Sequence, residues 1–131
     1  MKAETIYKLA CAVLLEKTGV DPDFQAFFPS LASLLLQEAL PYENARRAAL
    51  GQPALERAPV VAGMEDDVPC CDAICRLALP YGIAAYYFQD EMDDYRAQDF
   101  RGRYILALRE AALCSGESVE DCYGREAACR G

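Results

Sequence analysis

The sequence predicts an all-α fold, an antiparallel bundle of about four main helices with a long loop between the second and the third. Apolar residues recur at helical spacing along most of the chain, and no segment alternates with period two for long enough to form a strand. Proline and glycine cluster between the periodic segments. The length of 131 residues suits one domain. We therefore assign residues 1–114 to a helical bundle domain and residues 115–131 to a C-terminal tail.

Two predicted helices fill the first part of the chain. The first covers Ala3 to Lys17, where apolar residues lie on one helical face. The second should run from about Pro22 to Leu40, and Pro29 either kinks it or marks a restart. Pro41 then opens a further helical piece, "PYENARRAALG", which Gly51 closes.

The stretch from Gln52 to Pro69, "QPALERAPVVAGMEDDVP", predicts the long loop. It holds three prolines and no apolar period. A structureless connection of this length is unusual in a compact domain, so we expect it to be functional or to fold against a partner. Because it lacks periodic apolar anchors, we expect it to be mobile in the free protein and to order on a partner by burying Val60 and Val61.

The third and fourth helices have the clearest periodicity. The third starts near Cys70, and its apolar face continues across Pro80 and Gly82, although these are poor helix formers. The residues predicted on that face are Ile74, Leu77, Ala78, Tyr81, Ala84, Ala85 and Phe88. After the acidic stretch "DEMDD", the fourth helix runs from about Asp94 to Leu113, and either Asp93 or Asp94 is placed to cap it.

The charge and the hydropathy pattern exclude several classes of protein. The formal net charge of -8 repels nucleic acid backbones and anionic membranes, which argues against sequence-specific nucleic acid binding. No stretch approaches the roughly 18 apolar residues of a membrane span. The N-terminal segment carries Glu4 and a short apolar run, so it predicts an amphipathic helix rather than a signal peptide. We expect a soluble, cytoplasmic protein.

The cysteines and charged clusters do not form a recognisable reactive site. The chain has seven cysteines and no histidine, and Cys71 and Cys75 lie four residues apart rather than in a C-x-x-C motif. We expect reduced thiols that pack between helices. Capping explains the "DEMDD" acids better than cation binding, and an exposed helical face explains Arg46 and Arg47 better than a phosphate site. The sequence thus predicts no catalytic residue, no cofactor and no metal.

Tyrosines are concentrated in the third and fourth helices, at Tyr81, Tyr86, Tyr87, Tyr95 and Tyr104. Tyr86 and Tyr87 lie off the predicted apolar face. Because tyrosine is enriched at protein interfaces, these two are candidate interface residues. Equally, either one could cover the long loop.

The same two helices carry a longer pattern, "D-x-x-x-R-x-A-L-P-Y-G-[IL]-A-A" followed by "F-x-x-R-Y". The matching residues are Asp72, Arg76, the run from Ala78 to Ala85, Phe100, Arg103 and Tyr104. The pattern resembles that of small head–tail connector (adaptor) proteins of tailed phages and prophages. The segments "IYKLACAVLLEKTG" and "LLLQEALPYENARRAALG" resemble the first two helices of that group, so the likeness covers residues 1 to 114.

The resemblance implies a structural role in virion assembly. Copies of the chain would form a homo-oligomeric ring under the portal, joining portal and tail-completion proteins around the DNA channel. Physically, Pro80 should bend the third helix, Gly82 should let a neighbouring helix approach, and Tyr81 should point into the core between them. A small bacterial interaction or regulatory module without catalytic activity is the second hypothesis. An enzyme or metal protein using Cys71, Cys75 and nearby acids is the third.

Overall fold

The computed structural model describes residues 1–15 and 22–113, and it confirms the all-α prediction. Over these residues the helices are α1 (Ala3–Val13), α2 (Pro22–Ala49), α3 (Leu79–Asp90) and α4 (Asp94–Leu113), and a π-helical segment (Ala73–Ala78) leads directly into α3. The same ranges contain no strand, only an isolated antiparallel bridge between Lys2 and Asp67. None of their helices is both long enough and apolar enough to cross a membrane. The predicted tail, residues 115–131, lies outside the described residues.

Helix α2 is continuous, so the predicted restart at Pro29 and the separate piece after Pro41 are wrong. Each proline removes one backbone hydrogen bond, to the carbonyl four residues earlier. Those carbonyls belong to Gln25 and Gln37, which are both exposed, so water can hydrate them. The helix ends where predicted, because Gly51 adopts a φ of 73° and its N–H donates to the carbonyl of Ala48.

The central helix is α3, which contacts α1, α2 and α4. It runs antiparallel to α4: Arg103 lies over Tyr81 near one end, and Arg96 lies over Phe88 near the other. Along α2, Phe24 packs against Tyr87, whereas Glu43 near the other end contacts the backbone of Cys71. The π-helical segment and α3 together are therefore antiparallel to α2.

The π-helical segment changes which residues of α3 face the core. The N–H of Leu79 donates to the carbonyl of Ile74, five residues earlier. Of the residues predicted on the apolar face, four are buried: Ile74, Ala78, Ala84 and Ala85. Five residues that the α-helical spacing left off that face are buried as well: Cys75, Leu79, Pro80, Gly82 and Ile83. The α-helical spacing therefore predicted the face only in part. Leu77 is exposed, and Tyr81 and Phe88 are only half-buried.

The connection between α2 and the π-helical segment is fastened to the bundle at several points. Val61 and Val68 are already buried in the core of the single chain, so the expectation that Val61 becomes buried only on a partner is wrong. The N–H of Val61 donates to Oγ of Ser33 over 2.8 Å, and the same hydroxyl donates to the carbonyl of Pro29. Asn44 holds Leu55 with two hydrogen bonds, through its side-chain amide and carbonyl. These contacts come from single polar side chains, which leave no periodic signal in a sequence.

The start of the chain pairs with the end of that connection. The N–H of Ala3 donates to the carbonyl of Asp66 over 2.8 Å, and the N–H of Val68 donates to the carbonyl of Met1 over 2.8 Å. The side chain of Lys2 lies 3.0 Å from a carboxylate oxygen of Glu65. The segment is thus part of the folded bundle, although Val60 is exposed.

Candidate functional site

Three helices meet at one close-packed point, formed by Gly82 of α3, Leu35 of α2 and Tyr104 of α4. A Cβ atom added to Gly82 would lie 2.8 Å from Leu35 Cδ1 and 3.1 Å from Tyr104 Cδ1. The Tyr104 hydroxyl donates to the carbonyl of Leu35 over 2.8 Å, and burial raises the pKa of this phenol, so it stays protonated as a donor. Glycine is therefore needed at position 82 for close approach, as the sequence predicted.

An aromatic stack lies beside this point, on the surface between α3 and α4. Phe100 contacts Tyr81 at 6.0 Å between ring centroids and stacks with Phe88 at 5.5 Å. The guanidinium of Arg103 lies over both Tyr81 and Phe100, where cation–π attraction holds it. Tyr81 is half-buried in this stack, at the edge of the core, so its predicted place inside the core is wrong. Pro80, in contrast, is fully buried.

A groove of about 700 Å³ separates the first turns of α2 from the last turns of α3. Its apolar lining comes from Phe24, Phe27, Leu31, Tyr86 and Tyr87. Its polar lining comes from Asp23, Ser30, Gln89 and Asp90. Clefts lined by aromatic side chains with a few polar groups are the usual form of binding sites. This aromatic groove is the candidate functional site.

The two candidate interface tyrosines both line the aromatic groove. Tyr87 packs edge-on against Phe24, at 5.4 Å between ring centroids, and Phe24 in turn contacts Tyr7 of α1. Tyr87 therefore supports the wall of the groove, and its described ring contacts are with Phe24 and Phe88 rather than with the long connection. Tyr86 is half-buried and also lines a second groove.

That second groove, of about 440 Å³, lies between α3 and α4 and borders Glu38 of α2. Arg101 forms a two-pronged ion pair with Glu38 at its floor. The hydrogen bond from Arg101 holds the pKa of the Glu38 carboxyl below its usual value. Tyr86 and Gln89 therefore line both the aromatic groove and the second, ion-paired groove.

The acidic stretch between α3 and α4 serves as a helix cap. The backbone N–H of Arg96 donates to Oδ1 of Asp93 over 3.1 Å, which makes Asp93 the N-cap of α4. Asp94 is exposed in the first turn of α4, where its negative charge interacts favourably with the positive end of the helix dipole. No group of three or more side chains in residues 1–15 and 22–113 is arranged to hold a metal ion.

The pair Glu43 and Arg47 forms a buried clamp on the long connection. Nε of Arg47 lies 2.6 Å from Oε2 of Glu43, whose other oxygen accepts the N–H of Cys71. Arg47 also donates to the carbonyls of Pro53 and Pro69, at the two ends of the connection. The sequence spacing permits this ion pair, but the exposed face expected for Arg46 and Arg47 is wrong, because both side chains are half-buried against Glu43. Nothing in the local pattern showed that Glu43 is buried.

Cys70, Cys71 and Cys75 are free thiols. Burial raises the pKa of Cys70 to about 12 and that of Cys75 to about 11. Thiols with such values are protonated at neutral pH, and the thiolate is the form that attacks substrates and binds metals. Cys75 lies in the core, as expected for a helix-packing residue. Cys114, Cys122 and Cys129 lie outside the described residues.

The chain matches no known protein family, no curated protein and no solved structure. The structure brings the sequence-predicted residues together in two groups. Pro80, Gly82 and Tyr104 are buried where the helices meet, whereas Tyr86 and Tyr87 line the aromatic groove. The predicted site did not include Phe24, Phe27 and Leu31, since the sequence placed all three on the apolar side of α2.

Proposed function

We propose that this protein is a structural assembly protein, a head–tail connector subunit of a tailed phage or prophage. One observation carries the proposal: the two separate parts of the connector-like pattern pack directly against each other. Tyr81 and Gly82 of "LPYG" contact Phe100 and Tyr104 of "F-x-x-R-Y". Arg103, the remaining named residue of the second part, lies over Tyr81 at 5.9 Å. Because the two parts of the pattern form one packing unit, they support the connector proposal more strongly than two unrelated matches on apolar helices would.

Cys70 and Cys75 are poor candidates for a catalytic nucleophile, because burial raises the pKa of both thiols and keeps them protonated at neutral pH. The chain also has no histidine that could act as their base. The net charge of -8 suits a channel lining through which DNA moves without adhering. In the virion the subunits form a homo-oligomeric ring, and the portal and tail-completion proteins are the partners.

We place the contact with the portal protein at the aromatic groove. Tyrosine contributes strongly at interfaces because its ring buries a large apolar area while its hydroxyl remains able to hydrogen-bond. Tyr86 is accessible in the groove, whereas Tyr87 is partly covered by its contact with Phe24. The second hypothesis, a small bacterial interaction module, uses the same groove and differs in the identity of the partner. A portal or capsid gene beside this gene favours the connector.

Replacing Tyr86 with alanine should weaken binding to the portal protein of the same genetic element about tenfold, the size expected for an interface tyrosine. Tyr95→Ala is the matched control, since Tyr95 is 82% exposed on α4 and does not line the groove. Affinity is measured by biolayer interferometry on the purified portal, after thermal unfolding shows that both variants fold. The connector assignment fails if the unmodified chain does not bind the portal. The groove assignment fails if both variants bind equally well.

A further inference from the structure

Beyond its first turn, where Asp23 is exposed, the outer face of α2 carries no charge. From Gln25 to Ala49, each exposed residue of α2 is uncharged. The ionisable side chains in that range are held in ion pairs instead: Glu43 is buried and pairs with Arg46 and Arg47. Glu38, whose side chain is 39% exposed, has its charge paired with Arg101. Helix α4 shows the contrast, because its exposed residues include Arg96, Asp99, Arg103, Arg109 and Glu110. In a chain of net charge -8, such a face is a surface where a second acidic molecule can approach without charge repulsion.

The order of side chains along this face makes it complementary to itself. Its large apolar residues, Phe27 and Leu34, lie in the first half of α2, and both are more than half exposed. Beyond Gln37, the exposed residues of α2 are smaller or flat: Pro41, Ala45, Ala48 and Ala49. Packing a large side chain against a small one is how facing helices interdigitate.

We infer that two copies of this chain associate through α2, antiparallel and about a two-fold axis beside Gln37. One register then places Phe27 opposite Ala48 of the second copy, Ser30 opposite Ala45, and Leu34 opposite Pro41. The exposed amide of Gln37 lies next to the axis, where the two copies of this side chain can hydrogen-bond to each other. A single helix pair buries less than about 1,200 Å² in total, which is typical of a weak interface.

This inference does not depend on the connector assignment. A two-fold contact uses the same patch on both copies and closes on itself, whereas a ring requires head-to-tail contacts. The self-association would therefore be a property of the free protein, and it would be detected without a portal. Tyr86 lies outside the paired face, whereas Phe27 and Ser30 also line the aromatic groove, so self-association and portal binding would compete at these two residues.

Analytical ultracentrifugation of the full chain over a concentration series tests the pairing. The unmodified protein should be monomeric at low micromolar concentration and dimeric at about 100 µM and above. Leu34→Glu should remove the dimer, because it places a charge on each side of the contact. Leu106→Glu should leave the dimer intact. It is a matched control, since Leu34 is 57% exposed on α2 and Leu106 is 55% exposed on α4. Far-UV circular dichroism checks that both variants fold.

Complementary charges then test the register. Leu34→Lys alone and Pro41→Glu alone should each lose self-association, whereas a mixture of the two variants should form heterodimers, because Lys at position 34 then faces Glu at position 41 of the other copy. A mixture that stays monomeric would overturn this register. The pairing would be overturned if the chain remained monomeric up to about 1 mM. It would also be overturned if Leu34→Glu and Leu106→Glu weakened the dimer equally. In either case the partner of this face would be another protein.

Discussion

Replacing Glu43 with alanine should lower the free energy of unfolding by about 3–5 kcal/mol, the range for breaking a buried ion pair from one side. The Glu43 side chain is 1% exposed, and its carboxylate accepts from Arg47 and from the N–H of Cys71. Its loss leaves the Arg47 charge without its partner and the amide without its acceptor. Denaturant unfolding measures the effect. Trypsin should also cut faster after Arg57, because Arg47 then holds the ends of the connection less firmly.

The change Glu38→Ala is the matched control for Glu43→Ala. Glu38 also lies on α2 and also pairs with an arginine, Arg101, but its side chain is 39% exposed. An ion pair at such exposure contributes about 1 kcal/mol or less, because water screens it. Equal losses for the two variants would show that Glu43 is not the clamp we describe.

Replacing Gly82 with alanine should destabilise the bundle by about 1–3 kcal/mol, the usual cost of overpacking a core. In a helix, alanine is normally more favourable than glycine by about 1 kcal/mol. A decrease in the free energy of unfolding for Gly82→Ala would therefore show that overpacking outweighs helix propensity. The new methyl group would lie 2.8 Å from Leu35 Cδ1, and Leu35 is fully buried. On the other side, the hydroxyl of Tyr104 ties that ring to the carbonyl of Leu35. Neither neighbour can move without disturbing the core, and thermal or denaturant unfolding measures the cost.

Gly102→Ala provides a control of opposite sign. Gly102 lies in α4, is exposed, and has no atom within 4 Å of an added Cβ. The change should therefore stabilise the protein by about 0.5–1 kcal/mol through helix propensity alone. If Gly82→Ala also stabilised the protein, the close approach of the three helices at Gly82 would be wrong.

The helices could be predicted from the sequence because their apolar residues repeat at a regular period. That signal identified α4 from Asp94 to Leu113. The sequence offered either Asp93 or Asp94 as its cap, and the structure shows that it is Asp93. It failed where the period itself changes. The π-helical segment before Pro80 changes the register, so that Leu77 is exposed and Leu79 is buried, contrary to the α-helical spacing. At Pro29 the sequence left a kink and a restart open, because the cost of a proline depends on whether water reaches the carbonyl left free.

The connection between α2 and α3 could not be predicted for a different reason. The connection is held to the bundle by hydrogen bonds with Ser33, Asn44 and Arg47. Each of these polar side chains lies on α2 and bonds to a backbone group far along the chain. Such contacts follow from the tertiary arrangement and leave no local pattern. The aromatic groove was predicted in part. Tyr86 and Tyr87 were identified because they lie off the apolar face, whereas Phe27 looked like any other core residue of α2.

Hydrogen exchange on the free and the portal-bound protein tests the connector account most directly. In the free protein we expect protection at Val61 and Val68, whose amides are hydrogen-bonded to Ser33 and Met1. Saturating portal should add protection at residues 23–31 and 86–90, which line the aromatic groove, and should leave the exposed face of α4 unchanged. Unchanged exchange at both groove segments, under conditions where portal binding is saturated, would contradict the account.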